Sequence, residues 1–498
     1  MNYKSTRNSK ISVNSANAIV KGLSDEGGLF VPDGLPKLTK EQVLALGEKS
    51  YAQRAYDIFS LFLTDFTTEE VLHCVNSAYN DRNFDTNNIS ELKKLNNKTH
   101  ILELWHGPTC AFKDMALQIL PFLLTTSAKK TVDGKKIAIL VATSGDTGKA
   151  ALEGFKDVDG TSVSVFYPVN GVSLMQKRQM ATQEGSNVDV CAVEGNFDDC
   201  QSGVKEIFVD KALAEELKKH NILLSSANSI NWGRLAPQII YYISSYAQLV
   251  KNGDINFGEK LNVVVPTGNF GNILAAFYAK EMGVPIGKLI CASNANNVLT
   301  DFIKTGVYDR NREFHQTVSP SMDILISSNL ERLLYHLSGE NDKLISQWFD
   351  SLKKNGRYEV SSDVKERLSE SFYGGFCDDN ATKQTIKAVF DKFGYLIDTH
   401  TAVAYKVYED YKACTGDESV TLIASTANPY KFSPAVLEAL GGKADGNDEF
   451  EIIDRLERAS GTKAPTALME TKDKQSRFND CVDKVQMPER VLKFLTNK

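Results

Sequence analysis

Lys113 stands in the run Trp105-His106-Gly107-Pro108-Thr109-Cys110-Ala111-Phe112-Lys113-Asp114, just ahead of the apolar stretch Met115 to Leu124. A helix of that composition is expected to be buried, with its first turn facing the interior. An ammonium placed there is desolvated, which lowers its pKa and leaves a free amine, the usual Schiff-base nucleophile toward a carbonyl cofactor. A lysine that snorkels outward from a helix end fits the same local pattern. Other loops have to decide between the two.

Gly268-Asn269-Phe270-Gly271-Asn272 lies between a buried strand and a helix, where glycines permit a tight turn and main-chain amides converge at a helix N-terminus. That is a phosphate cradle or a plain glycine-containing turn. It has neither the G-x-G-x-x-G spacing of a dinucleotide loop nor the G-K-[ST] ending of a P-loop. Ser144-Gly145-Asp146-Thr147-Gly148 has the same placement. It offers hydroxyls and amides to a second anion such as a carboxylate, or serves only to cap its helix. In Ser225 to Arg234, the polar side chains Asn228 and Ser229 and one guanidinium, Arg234, precede a further helix. Arg234 can fork onto a phosphate or be an ordinary solvated arginine. Asp398-Thr399-His400-Thr401 and Ser425-Thr426 are weaker signals, each consistent with a helix cap or a satisfied core group.

The elements that carry these loops alternate. Ile137–Ala142, Val163–Tyr167, Val188–Val193, Leu261–Val265, Lys288–Ala292 and Val420–Ala424 are short β-branched runs, and most lead through a polar loop into a helical pattern. The helical patterns include 149–155, 173–183, 199–217, 235–250 and 273–282. Repeated strand-loop-helix units imply parallel sheets covered by helices, with ligands at the carboxyl ends of the strands. Helical periodicity also runs from about Glu41 to Ser77, after turn-rich segments at Asp25 to Gly28 and Pro32 to Gly34. The polar stretch Gly441 to Phe450 reads as a surface loop before a C-terminal helical piece.

At 498 residues, with 42% hydrophobic and 24% charged residues, the chain is an α/β globular protein of two or three domains. Its 57 basic against 63 acidic residues give a net charge of −6, which argues against nucleic-acid and anionic-membrane partners. Eight dispersed cysteines without a C-x-x-C pair fit reduced thiols better than disulfides or a zinc centre, so no metal is expected. The start, Met1 to Arg7, has no apolar run of signal-peptide length, and no 18-residue apolar stretch occurs along the chain. A cytoplasmic protein, monomer or homodimer, is the expectation.

Taken together, Tyr3-x-Ser5-Thr6-Arg7, Gly27-Gly28-Leu29-Phe30-Val31-Pro32, HGPTCAFKD at 106–114, ATSGDTG at 142–148, TGNFGN at 267–272 and STANP at 425–429 resemble the long-form threonine synthases. That family uses pyridoxal 5'-phosphate (PLP) on a type II, tryptophan synthase β-like fold. The resemblance implies two parallel-type sheets flanked by helices behind an N-terminal helical and mixed domain. It further implies a division into residues 1–95, a PLP-binding core at 96–440 whose smaller substrate-side part is about 138–240, and an extension at 441–498. Lys113 would hold the cofactor. Gly268, Asn269, Phe270, Gly271 and Asn272 would hold its phosphate, and the Thr426 hydroxyl would meet its pyridine nitrogen. Ser144, Gly145, Asp146 and Thr147 would face the substrate carboxylate, and Asn228, Ser229 and Arg234, with Thr109, the substrate phosphate. The implied reaction converts O-phospho-L-homoserine and water into L-threonine and phosphate. A dehydratase or phospholyase of the same fold is the nearest rival, and a non-catalytic binder of PLP or a phospho-amino acid the rival of another class. Two positions depart from the family pattern: Thr399 stands for a proline and Asn428 for a histidine.

Overall fold

The computed structural model describes residues 1–132, 134–143, 145–169, 172–446 and 448–496. Two sheets dominate. The larger runs Phe372–Phe376, Ile286–Ser293, Leu261–Pro266, Thr421–Ser425, Thr99–Glu103 and Glu91–Asn96. Its neighbours are parallel except the last pair, an antiparallel hairpin. The smaller runs Cys481–Val482, Val188–Val193, Thr161–Pro168, Lys136–Ala142 and Ile222–Ser225, parallel throughout.

Strands buried on both faces need side chains that are apolar without alternation, which is what the runs supply. Ile137 to Val141 and Val263 to Val265 are at most 1% exposed. The long helix Trp232–Lys251 is buried on nearly every side. It packs against Gly271–Glu281, Asp114–Leu117 and the N-terminal helices Lys40–Gly47 and Tyr51–Phe62. No described helix is long and apolar enough to cross a membrane.

The strand-loop-helix rhythm expected from the sequence is present, with differences that have local causes. The apolar stretch after Lys113 is not one helix but two, Asp114–Leu117 and Leu120–Thr131. Pro121 has no amide to continue the first, and sits instead in the opening turn of the second, where none is needed. The pattern at 199–217 also divides, into Phe197–Val209 and Lys211–Lys219, because the Asp210 carboxylate caps the amides of Ala212 and Leu213. The strands Glu91–Asn96, Thr99–Glu103 and Phe372–Phe376 were not expected. An exposed, lysine-bearing first strand and a Gly-Gly pair in the last hide them.

Candidate active site

Lys113 ends the turn that follows Thr99–Glu103. Its side chain is 12% exposed, its Nζ lies 3.5 Å from Asp146 Oδ2, and it sits over the Phe112 ring. Burial lowers its pKa from the ordinary lysine value. Asp146 pulls the other way, and Lys431 and Arg234 add to the lowering. The turn itself is strained, since Cys110 holds a left-handed φ of 56° without being glycine. The Asp114 carboxylate fixes the turn by accepting the Thr109 amide at 2.8 Å and the Thr109 hydroxyl at 2.7 Å. The single Thr109 hydroxyl proton is therefore committed to Asp114. Burial pushes Asp114 up to about 6 against those two bonds.

Asp146 begins the helix Asp146–Phe155 and is buried at the centre of a network from both sheets. Its Oδ1 accepts Lys431 Nζ at 2.9 Å and Gln176 Nε2 at 3.0 Å, and its Oδ2 accepts the Ser321 hydroxyl at 3.3 Å. Burial alone would raise this carboxyl, but Lys431 and then Lys113 hold it well below the usual carboxylate range. Such a carboxylate repels another, so among the described residues of this loop the main-chain amides of Asp146 and Thr147 and the Thr147 hydroxyl remain as donors for a carboxylate ligand. Neither amide donates to an acceptor among the described residues. Gly145, at φ 141°, has no room for a side chain, because a Cβ there would meet the Gln176 amide at 2.3 Å. The Thr147 side chain bonds to no described residue, and Ser144 lies outside the described residues.

The loop after Leu261–Pro266 presents the amides of residues 268–273, none of which finds an acceptor among the described residues. Phe270 opens the helix Gly271–Glu281 with a left-handed φ of 64°, which turns the chain sharply enough to gather those donors. The Gly268 carbonyl accepts from Ser327 Oγ at 2.8 Å and the Asn269 carbonyl from the Asn329 amide at 3.0 Å. A Cβ on Gly268 would come within 2.7 Å of the Ser321 carbonyl. Asn272 points its Oδ1 at the hydroxyls of Tyr241 and Tyr242, and its buried Nδ2 has no partner among the described residues. Converging free amides, an orphaned amide NH2 and a positive helix end suit a phosphate.

Arg234 is buried in the first turn of Trp232–Lys251. One Nη donates to the Ala227 carbonyl while its Nε has no partner among the described residues. Burial lowers its pKa to about 10, against the attraction of Asp114. Gln238 connects it to the cradle by donating to the Arg234 carbonyl at 2.8 Å while standing near Gly271. The side chains of Asn228 and Ser229 form no hydrogen bond to described residues. Thr426 leans on the lysine turn through its carbonyl, which accepts the Phe112 amide at 2.8 Å, and its hydroxyl has no partner among the described residues.

Sequence reasoning missed Lys431, Gln176, Ser321 and Asn329. It named His400 without a place. The His400 Nδ1 faces Asp398 at 2.9 Å and its Nε2 accepts the Ser321 amide at 3.2 Å, so it steadies the segment beside Gly268. The N-terminal signature is also structural. Thr6 and Arg7 grip Glu331 at 2.6 to 2.9 Å, and the next residue, Arg332, donates to the carbonyls of Phe30 and Ile230 and to Asn329. Both departures from the family pattern are accommodated. Thr399 is the first helical residue after the Asp398 cap, where proline and threonine serve equally, and Asn428 caps the turn Pro429–Phe432.

Lys113, the 268–273 cradle and the free Thr426 hydroxyl fit an aldehyde cofactor that carries a phosphate. Family models agree: "Threonine synthase N terminus" matches residues 2–79, "Pyridoxal-phosphate dependent enzyme" 85–426 and "Threonine synthase, C-terminal" 401–490. Threonine synthase-like 1 of Homo sapiens is 42% identical over 436 residues, 85% of this chain but only 57% of the human protein. Threonine synthase of Saccharomyces cerevisiae is 37% identical, with 95% of each chain covered. The crystal structure of PLP-bound threonine synthase from Brucella melitensis superposes with a TM-score of 0.86 at 33% identity over 100% of both chains.

Proposed function

The chain belongs to the threonine synthase family of pyridoxal-phosphate-dependent enzymes, and from that premise we propose that it converts O-phospho-L-homoserine and water into L-threonine and phosphate. The observation that carries this reading is a pair of separate anion seats around one buried amine. One is the set of unpaired amides at 268–273, the other the spare Nε of Arg234. A dehydratase's substrate has no phosphate for the second to hold.

PLP supplies a carbonyl for the substrate amine and an electron sink for negative charge on its carbon chain. In this reading Lys113 holds the cofactor through its amine, residues 268–272 hold its phosphate, and the neutral Thr426 hydroxyl meets the ring nitrogen. The amides of Asp146 and Thr147, with Ser144 and Gly145, seat the substrate carboxylate. Arg234 fixes the substrate phosphate with Asn228 and Ser229, and Thr109 contributes through the Asp114 link that holds its turn. The Lys113 amine takes the proton from substrate Cα and, once relieved of it, the proton from Cβ; phosphate leaves from Cγ, which regains a proton from the Lys113 ammonium, and water then adds at Cβ as Cα is reprotonated. Residues 96–440 hold this machinery between the N-terminal part, 1–95, and the extension, 441–498. A cytoplasmic location and a monomeric or homodimeric state complete the reading.

The test is product identification with purified protein, PLP and phosphohomoserine. Threonine and inorganic phosphate in equal amounts support it, whereas 2-oxobutanoate as the main product means elimination without hydration and rejects it. Lys113→Ala is expected to lose both the visible absorption of the cofactor-loaded protein and the activity. Unchanged colour and rate would move the reactive amine elsewhere.

A further inference from the structure

The Asp146 carboxylate has two lysines to choose from, and the geometry favours the one that the reaction does not use. Lys431 is wholly buried between Tyr430 and Phe432. Its three ammonium protons meet three acceptors: the Thr109 carbonyl at 2.7 Å, Asp146 Oδ1 at 2.9 Å and Gln179 Oε1 at 3.3 Å. Lys113 is left with the other carboxylate oxygen at 3.5 Å, a position it shares with the Ser321 hydroxyl. The turn that carries Lys431 is rigid. Asn428 caps it through the Tyr430 amide at 3.0 Å, and the Asn428 amide donates to the Cys110 carbonyl at 3.0 Å in the lysine turn itself.

We infer that Lys431 is a positioning residue which occupies Asp146, so that the Lys113 amine stays uncommitted and available. The charged groups facing Lys113 are Asp146, Lys431 and Arg234. Two are cations and one an anion, and the anion is spent on Lys431. Remove Lys431 and Lys113 becomes the only cation beside a buried carboxylate, which must then hold it as ammonium. The balance also explains why an acidic side chain can sit at the start of a helix beside a carboxylate-binding loop. Its charge is cancelled from the opposite side.

The inference rests on Lys113 being the reactive amine, and its test reads that amine without turnover. In the full-length chain freed of PLP, competitive labelling with acetic anhydride across pH, followed by mass spectrometry of the Lys113 peptide, gives the midpoint of its deprotonation. Lys431→Met is expected to move that midpoint up by about one pH unit or more, a roughly tenfold loss of free amine near neutrality. The acid limb of kcat, which reports groups in the substrate complex where the amine is free, should move with it, and Lys431→Arg should restore much of the original midpoint. A merely structural role lowers activity at every pH and leaves the Lys113 midpoint in place, and that result overturns the inference. If Lys431→Met does not fold, Lys431→Gln, which can still donate to the Thr109 carbonyl but carries no charge for Asp146, is read in the same way. Its Lys113 midpoint must also rise, and an unchanged or lowered midpoint again overturns the inference.

Discussion

Arg234 spends only part of its guanidinium on the protein. One nitrogen holds the Ala227 carbonyl and the buried Nε has no partner among the described residues, so a bound phosphate would complete a site already half made. Arg234→Ala should raise the KM for phosphohomoserine and lower kcat/KM by about 30-fold, near 2 kcal/mol. Arg234→Lys should recover little, because a single ammonium cannot hold the Ala227 carbonyl and a phosphate in one plane. Steady-state kinetics and inhibition by inorganic phosphate would check both. Unaltered constants would remove Arg234 from the site. Arg234 and Lys113 are legible in the sequence because their oddity is local, a cation at the head of an apolar helix. Lys431 obeys the same rule, between Tyr430 and Phe432, yet what gives it meaning is Asp146 on the other sheet. Ser321 and Asn329 carry no local mark at all, since polar residues in a loop are ordinary until the fold brings Gly268 and Asn269 against them.

At the level of elements, the loop from Trp105 to Asp114 shows how the turn that carries Lys113 is pinned at both ends. Asp114 pins the far end and His106 the near one, with Nδ1 on Asp85 at 2.6 Å and Nε2 on Glu103 at 3.0 Å. Burial works against the charged ring, but those two carboxylates raise His106 to about 9. A folded pKa above the unfolded value stabilises fully below about 6.5, and that contribution is lost as pH rises through about 9. The unfolding free energy from denaturant titrations should therefore fall between pH 6.5 and 9, by roughly 1 to 2 kcal/mol once the exposure of Asp85 is allowed for. His106→Gln should be less stable at the acid end and flat across the window. A variant with the same slope as the parent would assign the dependence to another group. Of the strands beside this loop, Leu261–Pro266 and Thr421–Ser425 are readable because strands buried on both faces leave apolar runs, whereas Thr99–Glu103, which leads into it, is not, since Thr99 and His100 break its apolar run. Helix breaks at Pro121 and Asp210 depend on one residue against a continuing apolar pattern, and the pattern reads through them.

Across the whole molecule, both chain ends return to brace the halves that meet at Asp146. The N-terminal signature grips Glu331 beside the cradle, while the C-terminal segment crosses the smaller sheet. Arg178 gathers the carbonyls of Thr471, Lys472 and Lys474, and Cys481–Val482 then pairs with the outer strand Val188–Val193. Arg490 locks this strap by joining Asp480 to Asp189, a strand residue only 5% exposed at its side chain. Without Arg490, Asp189 would keep, among the described residues, the Ser164 hydroxyl at 3.0 Å against the cost of a buried charge. Arg490→Ala should destabilise by about 2 to 3 kcal/mol in denaturant unfolding, less than a fully buried pair because the arginine is partly exposed. The loss should be local: faster amide exchange in Thr161–Pro168 and Val188–Val193, with protection in Leu261–Pro266 and PLP affinity unchanged. Asp189→Asn added to Arg490→Ala should restore part of the stability by removing the stranded charge. A uniform loss of protection across both sheets would mean that the molecule unfolds as one unit, and that the strap is not a separate brace for the half that carries Asp146.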